Sequence, residues 1–353
     1  MSFKHTIFGF IFNTFSESEV DNNLVSFIVD DNKSFISNFT YIKEEFKKRG
    51  DFDFFFYNKN KLSINDLRKL SKSKYIFLND NFLAMANMNF NPETVITQLW
   101  HAPGAFKKFG ASSSKDKKEI DLIKKASEKV TFLINTSENI NGEYSEAFQI
   151  DESKIKPLGI PRMDYYFKNH DGLRENFNKK YPLARGKKII LYAPTFRDNE
   201  YDNNVFNYLD LDEFNKQLGE EYVLAVRFHP KFSNNVSESG FINVSDFANE
   251  QELLLIADLL ISDYSSIAIE FAALNKPVLL FTYDFDSYVT KDRGFYFDLR
   301  NSDLGLIADS SEELIETIKN NEFQMNNSEF LQNQFDYIDG NASKRIVDLL
   351  LNE

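Results

Sequence analysis

Short, almost unbroken apolar runs alternate along most of this chain with Lys- and Glu-rich segments of helical spacing. In the first half the apolar runs fall at 6–12, 24–29, 54–57, 75–78, 95–99 and 130–134, and each is predicted to be a strand. Between them, 41–49, 67–73 and 120–128 repeat apolar residues every three to four positions and are predicted helices. The second half continues with strands over 188–192, 222–227, 259–262 and 278–282. Helices are expected over 211–218, 250–257, 266–274, 311–319 and 343–352. Strands that are apolar on both faces belong to parallel sheets covered by helices, so the fold class is α/β. Gly159, Pro161, Gly172, Pro182 and Gly186 punctuate 158–186 and mark a break in the pattern. The expected organisation is an N-terminal Rossmann-like domain over 1–160, a linker over 161–186 and a C-terminal Rossmann-like domain over 187–353. The parallel sheets would face a central cleft, and the last helix is allowed to pack back on the N-terminal domain. A length of 353 residues suits two domains.

Composition removes several function classes. Cysteine is absent, which excludes a disulfide scaffold, thiolate metal sites and thiol catalysis. The formal charge of −13 lacks the broad basic surface that wrapping a nucleic acid requires, so no nucleic-acid partner is expected. The charge is uneven, however. Eight Lys stand against four acidic residues between His101 and Val130. That stretch is either a solvated face or a patch for a phosphate-rich substrate or an anionic membrane surface. No run approaches the ~18 apolar residues of a membrane span. The apolar start is short, lacks a small-residue cleavage site and soon meets Ser16-Glu17-Ser18-Glu19, which reads as a first buried strand rather than a signal peptide. A cytoplasmic protein, with any membrane contact peripheral, is expected.

Four motifs could carry chemistry. His101 follows the predicted strand 95–99 and is itself followed by Pro103-Gly104 and Lys107-Lys108. Ligands of open α/β sheets bind beyond the carboxyl ends of strands, and a histidine there, with an ordinary pKa of about 6.5, suits general-base work. A strand-end histidine bonded to backbone fits the position equally well. His229, in Arg227-Phe228-His229-Pro230, is placed in the same way after a second-half strand, and the chain holds only four histidines. Ser262-Asp263-Tyr264-Ser265-Ser266 joins a strand to a helix start, where free N–H groups favour a phosphate. Ser265 or Ser266 could also act simply as an N-cap, and Glu270 lies one turn on, in reach of a ribose hydroxyl. Arg293, before Gly294, would partner a diphosphate there. Walker, GxGxxG and GxSxG patterns are absent. Asp284-Phe285-Asp286 is a short acidic pair of a kind that chance readily produces. No motif calls for a metal, so no cofactor is expected to be obligatory, although a divalent ion such as Mg is allowed.

Together these segments resemble the CDP-glycerol glycerophosphotransferase family, the teichoic-acid primases and polymerases of Gram-positive bacteria. The resemblance is carried by QLWHAPGAFKKFG at 98–110, LGIPRMD at 158–164, ILYAPTFRD at 190–198, RFHP at 227–230 and SDYSS at 262–266. FTYD at 281–284, RGFYFD at 293–298 and DGNASKR at 339–345 complete it in family order. The resemblance implies a GT-B architecture, with an acceptor-side N-terminal domain and a C-terminal domain that holds the donor nucleotide. The implied reaction moves an alditol phosphate, glycerol phosphate first and ribitol phosphate second, from a CDP-activated donor to a hydroxyl of a lipid-linked or glycan acceptor, releasing CMP, in teichoic-acid or capsule-type polymer synthesis. Carried over by position, His101 is the general base and His229 assists at the phosphate or the departing CMP. Ser265, Ser266, Arg293 and Lys107 bind donor phosphate, while Glu270, Thr195 and Arg227 lie at the nucleotide. The competing readings are a GT-B glycosyltransferase using a nucleotide sugar and a non-catalytic glycan-binding member of a polymer-assembly complex.

Overall fold

The computed structural model describes residues 3–30, 38–197, 203–228, 239–291, 294–320, 323 and 328–352. It divides into two compact units, one made of Met1–Phe167 with Asn333–Glu353, the other of Lys168–Gln332. The segment expected to be a linker over 161–186 is therefore structured on both sides of the crossing. Pro161–Phe167 forms a 3-10 helix in the first unit, and Leu173–Lys180 an α-helix in the second. The chain re-enters the first unit at Asn333.

The first unit is built on six strands: β1 (Asp21–Val29), β2 (Asp53–Asn58), β3 (Ser73–Leu78), β4 (Val95–Gln98), β5 (Phe132–Ile134) and β6 (Ile155–Lys156). All neighbours pair in parallel, in the order β2-β1-β3-β4-β5-β6. Val25 and Phe27 of β1 and Tyr75 and Phe77 of β3 meet Phe39, Ile42 and Phe46 of the helix Asn38–Lys47. Ile346, Val347 and Leu350 of the last helix, Ala342–Asn352, complete that layer. Burying each such side chain contributes about 1.5–3 kcal/mol, and the aromatic rings add oriented contacts, as between Phe27 and Phe77 at 5.5 Å.

The second unit repeats the plan with β7 (Lys188–Ala193), β8 (Tyr222–Val226), β9 (Ile242–Asn243), β10 (Leu259–Ser262), β11 (Val278–Phe281) and β12 (Leu306–Ala308). They too are all parallel, in the order β12-β11-β10-β7-β8-β9. The helices Leu211–Leu218 and Ser311–Lys319 cover one face through Leu211, Phe214, Leu218, Leu314, Ile315 and Ile318. Asp210 and Ser310 cap them, accepting from the amides of Glu213 and Glu313.

One expected strand is a helix. Residues 6–12 lie in the helix Phe3–Asn13, where Phe8 and Phe12, four residues apart, turn inward while Ile7 and Phe10 stay exposed. A run that is apolar at nearly every position cannot choose between periods of 2 and 3.6, and tertiary contact decided it. Phe12 packs on Phe90 with centroids 4.8 Å apart. At Gly9 an added Cβ would lie 2.4 Å from the Asn87 Cβ, so only glycine lets this helix approach so closely.

Candidate active site

In each sheet the strand order reverses between two neighbours, β1 and β3 in the first and β7 and β10 in the second. Crevices at the carboxyl ends of such strand pairs are where open α/β sheets bind ligands. Among the described residues, His101 lies by the first of these places, beside Asn79 after β3, and Thr195, Ser265 and Ser266 follow the strands of the second.

In the first unit, β4 ends at Gln98, whose side chain folds back so that its Oε1 accepts from the Trp100 amide at 3.0 Å. Trp100 then takes the left-handed conformation (φ 59°), costly for a bulky residue. Its ring is locked against Phe109 (4.9 Å, stacked) and Phe148 (5.3 Å, perpendicular), which holds the turn in place. The turn swings His101 out at the carboxyl end of the sheet, its ring 4.1 Å from that of Trp100. His101 Nδ1 lies 3.2 Å from the Asn79 carbonyl. A carbonyl only accepts, so Nδ1 carries the proton and Nε2 presents a lone pair. His101 is exposed, yet the protein around its imidazole still desolvates the ring in part. That desolvation lowers the His101 pKa from its ordinary value, opposed by Asp80 and the Asn79 carbonyl and assisted by Arg162 and Lys59. A neutral imidazole with an available Nε2 is the form a general base needs. Beyond it, Gly104 N donates to Thr136 Oγ1 at 3.1 Å and Ala105 N to Gln334 Oε1 at 2.8 Å, which fix the rest of the loop. Lys107 is half-buried farther along it.

In the second unit a buried ion cluster ties together the loops after β7, β10 and β11. Arg197 is 7% exposed and Asp263 has no exposed surface. Arg197 Nη2 donates to Asp263 Oδ2 at 3.0 Å, and its Nε to Asp284 Oδ2 at 2.8 Å. Burial works against the Arg197 charge, but the carboxylates of Asp263 and Asp284 outweigh it and raise its pKa. Tyr264 Oη donates to Asp284 Oδ1 at 2.9 Å, and the guanidinium lies over the rings of Tyr264 and Tyr288. Asp263 also accepts from the Thr195 amide and, at 2.6 Å, from the Thr195 hydroxyl. Thr195 is thus turned into the fold, where it shapes the loop. Arg227 is held in a similar way. Its Nη1 donates to the carbonyls of Val244 and Phe247, with Glu250 at 3.7 Å from its Nε.

The cluster fixes the turn that presents Ser265 and Ser266, both half-buried. Ser266 precedes the six-residue helix Ile267–Ala272 and makes no side-chain cap bond, whereas Ser265 Oγ accepts weakly from Ile267 N at 3.4 Å. Glu270 is on that helix and is buried. His229 and Arg293 lie outside the described residues. Asp284 of the acidic pair is committed to Arg197 and Tyr264. Among the described residues no group of three or more His, Asp or Glu is placed to hold a metal ion.

The family model for CDP-glycerol:poly(glycerophosphate) glycerophosphotransferase matches residues 10–352. The chain belongs to this family. It is 34% identical over 98% of its length to a teichoic acid poly(ribitol-phosphate) polymerase of Bacillus spizizenii, covering 59% of that protein. To a teichoic acid glycerol-phosphate primase of Bacillus subtilis it is 33% identical, over 79% of this chain and 74% of that one. Among solved structures it resembles the wall teichoic acid polymerase TagF with a TM-score of 0.81 at 25% identity, covering 99% of this chain and 93% of that chain. The chain spans 59 to 67% of the length of the three ribitol-phosphate polymerases it matches.

Two segments of the family resemblance turn out to serve the scaffold of the first unit. The Asp164 carboxylate, in LGIPRMD, accepts from the amides of Ala342 and Ser343 at 2.9 and 2.8 Å, capping the last helix. Arg345, in DGNASKR, donates to the Leu158 carbonyl and pairs with Asp339. Sequence reasoning did not single out Asn38, Arg162, Arg197 or Asp263. The last three stand inside the quoted motifs, which was the one available signal. Asn38 gave none.

Proposed function

We propose that this protein transfers an alditol phosphate from a CDP-activated donor to a hydroxyl of a lipid-linked or glycan acceptor, releasing CMP. The observation that carries the reading is His101 at the carboxyl end of a parallel sheet, its Nδ1 on the Asn79 carbonyl and its pKa lowered by desolvation, in a chain of the glycerophosphotransferase family. In the proposed step Nε2 takes the acceptor hydroxyl proton. The freed oxygen then bonds to the phosphorus bearing the alditol, and the bond from that phosphorus to CMP breaks. Phosphoryl transfer depends mainly on alignment and charge stabilisation. The Ser265–Ser266 turn, Arg293 and Lys107 would meet the diphosphate, Glu270 the ribose, and His229 the departing CMP. Thr195 and Arg227 act one layer behind, as supports for the loops. Glycerol and ribitol phosphate stand level as cargo, because the relatives are named for both alditols.

CMP release by the purified protein tests this reading, with CDP-glycerol, CDP-ribitol and UDP-glucose offered separately beside a membrane or polysaccharide acceptor fraction. Release of CMP from one or both CDP-alditols, with no turnover of UDP-glucose, is expected. A product with a new glycosidic bond and no phosphodiester would replace this reading with sugar transfer.

A peripheral membrane site fits the lysine-rich stretch that follows His101 in the sequence. On the helix Lys117–Ser127, Leu122, Ile123 and Ala126 face inward while Lys117, Lys118, Lys124 and Lys125 are exposed. Among the described residues no helix is long and apolar enough to cross a membrane. Sedimentation with anionic vesicles is expected at low salt and should fade as ionic strength rises and the screening length shrinks toward ~3 Å at 1 M. Salt-insensitive binding, or none, would remove the site.

A further inference from the structure

Asn38 opens the helix Asn38–Lys47 and is 1% exposed. A buried primary amide needs partners for two N–H donors and one carbonyl, and main-chain groups here fix which atom is which. Oδ1 accepts from the Arg162 amide at 2.8 Å. Nδ2 therefore donates, to the Trp100 carbonyl at 2.7 Å and to Asn79 Oδ1 at 3.0 Å.

Those two acceptors flank the bond that orients His101. Trp100 leads directly into His101, and Asn79, the residue after β3, supplies the carbonyl that lies 3.2 Å from His101 Nδ1. One side chain thus ties the donor side and the acceptor side of that bond together. Gln98 holds the other end of Trp100. Its Oε1 accepts from the Trp100 amide, while its Nε2 donates to the Asp80 carbonyl at 3.2 Å. The left-handed backbone of Trp100 persists only where its surroundings impose it. The amides of Gln98 and Asn38, acting on opposite sides of the residue, impose it.

This matters for the base because a neutral imidazole carries its one N–H proton on either nitrogen, and a hydrogen bond at one of them selects the tautomer. Only the form protonated at Nδ1 leaves a lone pair on Nε2, the atom given the acceptor proton above. Asn38 and Asn79 are uncharged, whereas the charges that act on His101 are those of Asp80, Arg162 and Lys59. The pair therefore works on geometry and tautomer, with no charge of its own.

We propose that Asn38 is a positioning residue for the transfer reaction. Through Trp100 and Asn79 it holds the His101 ring in the tautomer that accepts a proton at Nε2. This rests on the role given to His101 above.

The test uses the full chain as wild type, Asn38→Ala, Asn38→Asp and Ile42→Ala. Asn38→Asp keeps the volume and the acceptor but supplies at most one of the two donors. Ile42 is buried in the core on the same helix and takes no part in these bonds, so Ile42→Ala reports what general loosening of the helix does. The chain has four histidines, so isotope labelling of histidine lets NMR read the His101 tautomer above its titration. Wild type and Ile42→Ala should carry the proton on Nδ1. Both Asn38 variants should share it between the two nitrogens. In CMP release the Asn38 variants should lose about 100-fold in kcat, the loss that a misplacement of about 1 Å can bring. Donor and acceptor KM should stay within about twofold, and Ile42→Ala should keep its kcat. A wild-type ring protonated at Nε2 overturns the proposal, as does a tautomer or kcat unchanged in both Asn38 variants. So does a tautomer shift that Ile42→Ala reproduces. The tautomer measurement needs no turnover, so it decides the role of Asn38 whether or not CMP is released.

Discussion

His101→Ala is expected to lower CMP release by about two to four orders of magnitude, the usual loss when a positioned general base is removed, with the unfolding transition unchanged. The structural reason for the second half of that expectation is that His101 is a tip rather than a brace. Among the described residues its side chain bonds only to the Asn79 carbonyl, while the turn beneath it is held by Gln98, Asn38 and the Trp100 ring. The pH dependence follows with a definite sign. Burial lowers the His101 pKa below its ordinary value, and the base works only when neutral. Wild-type kcat/KM should therefore rise with pH through that lowered pKa and stay level above it. Near-wild-type turnover by His101→Ala would show that another group takes the proton.

Arg197→Met is expected to be a strongly damaging substitution in the second unit, at about 3 kcal/mol, because it leaves the buried Asp263 and the half-buried Asp284 without their cation. The figure lies at the lower end of the range for broken buried pairs, since Asp263 keeps its bonds from Thr195 and Tyr264. Urea unfolding of the second unit is the measurement, and removing the orphaned charge as well, in Arg197→Met/Asp263→Asn, should return part of the loss. The same variant should raise the donor KM, because the Ser265–Ser266 turn hangs from Asp263. A change in stability below about 1 kcal/mol would mean that the cluster is solvated in a way its burial does not suggest.

How much of this was legible in the sequence depended on the range of the interactions involved. Helices 211–218 and 311–319 were found residue for residue, because their apolar spacing is regular. The central strands were found because double-sided burial demands uniformly apolar residues. The two- and three-residue strands β6, β9 and β12 carry too few positions to show a period, and they exist because a neighbouring strand supplies the ladder. At the candidate site, His101 and the SDYSS turn were visible as residue types at strand ends. The hub at Asn38 was not, since its partners lie 41, 62 and 124 positions away. A buried asparagine looks like any other until those partners are in place. Arg197, Asp263 and Asp284 were hidden in the same way, each ordinary by itself and informative only as a set.

The discontinuity of the first unit gives its assembly an order in time. Gln334 and Asp336, which brace the Ala105 and Ser137 loops, and the helix capped by Asp164 all follow the whole second unit in the chain. On the ribosome the second unit can therefore close before the first has its last pieces. At ~5–20 residues per second, the unfinished sheet of the first unit must wait on the order of ten seconds. During that interval the apolar face of β1 and β3 lacks Ile346, Val347 and Leu350. The half of the protein that carries His101 is thus the one left unfinished, and exposed to chaperones and proteases, for longest during synthesis.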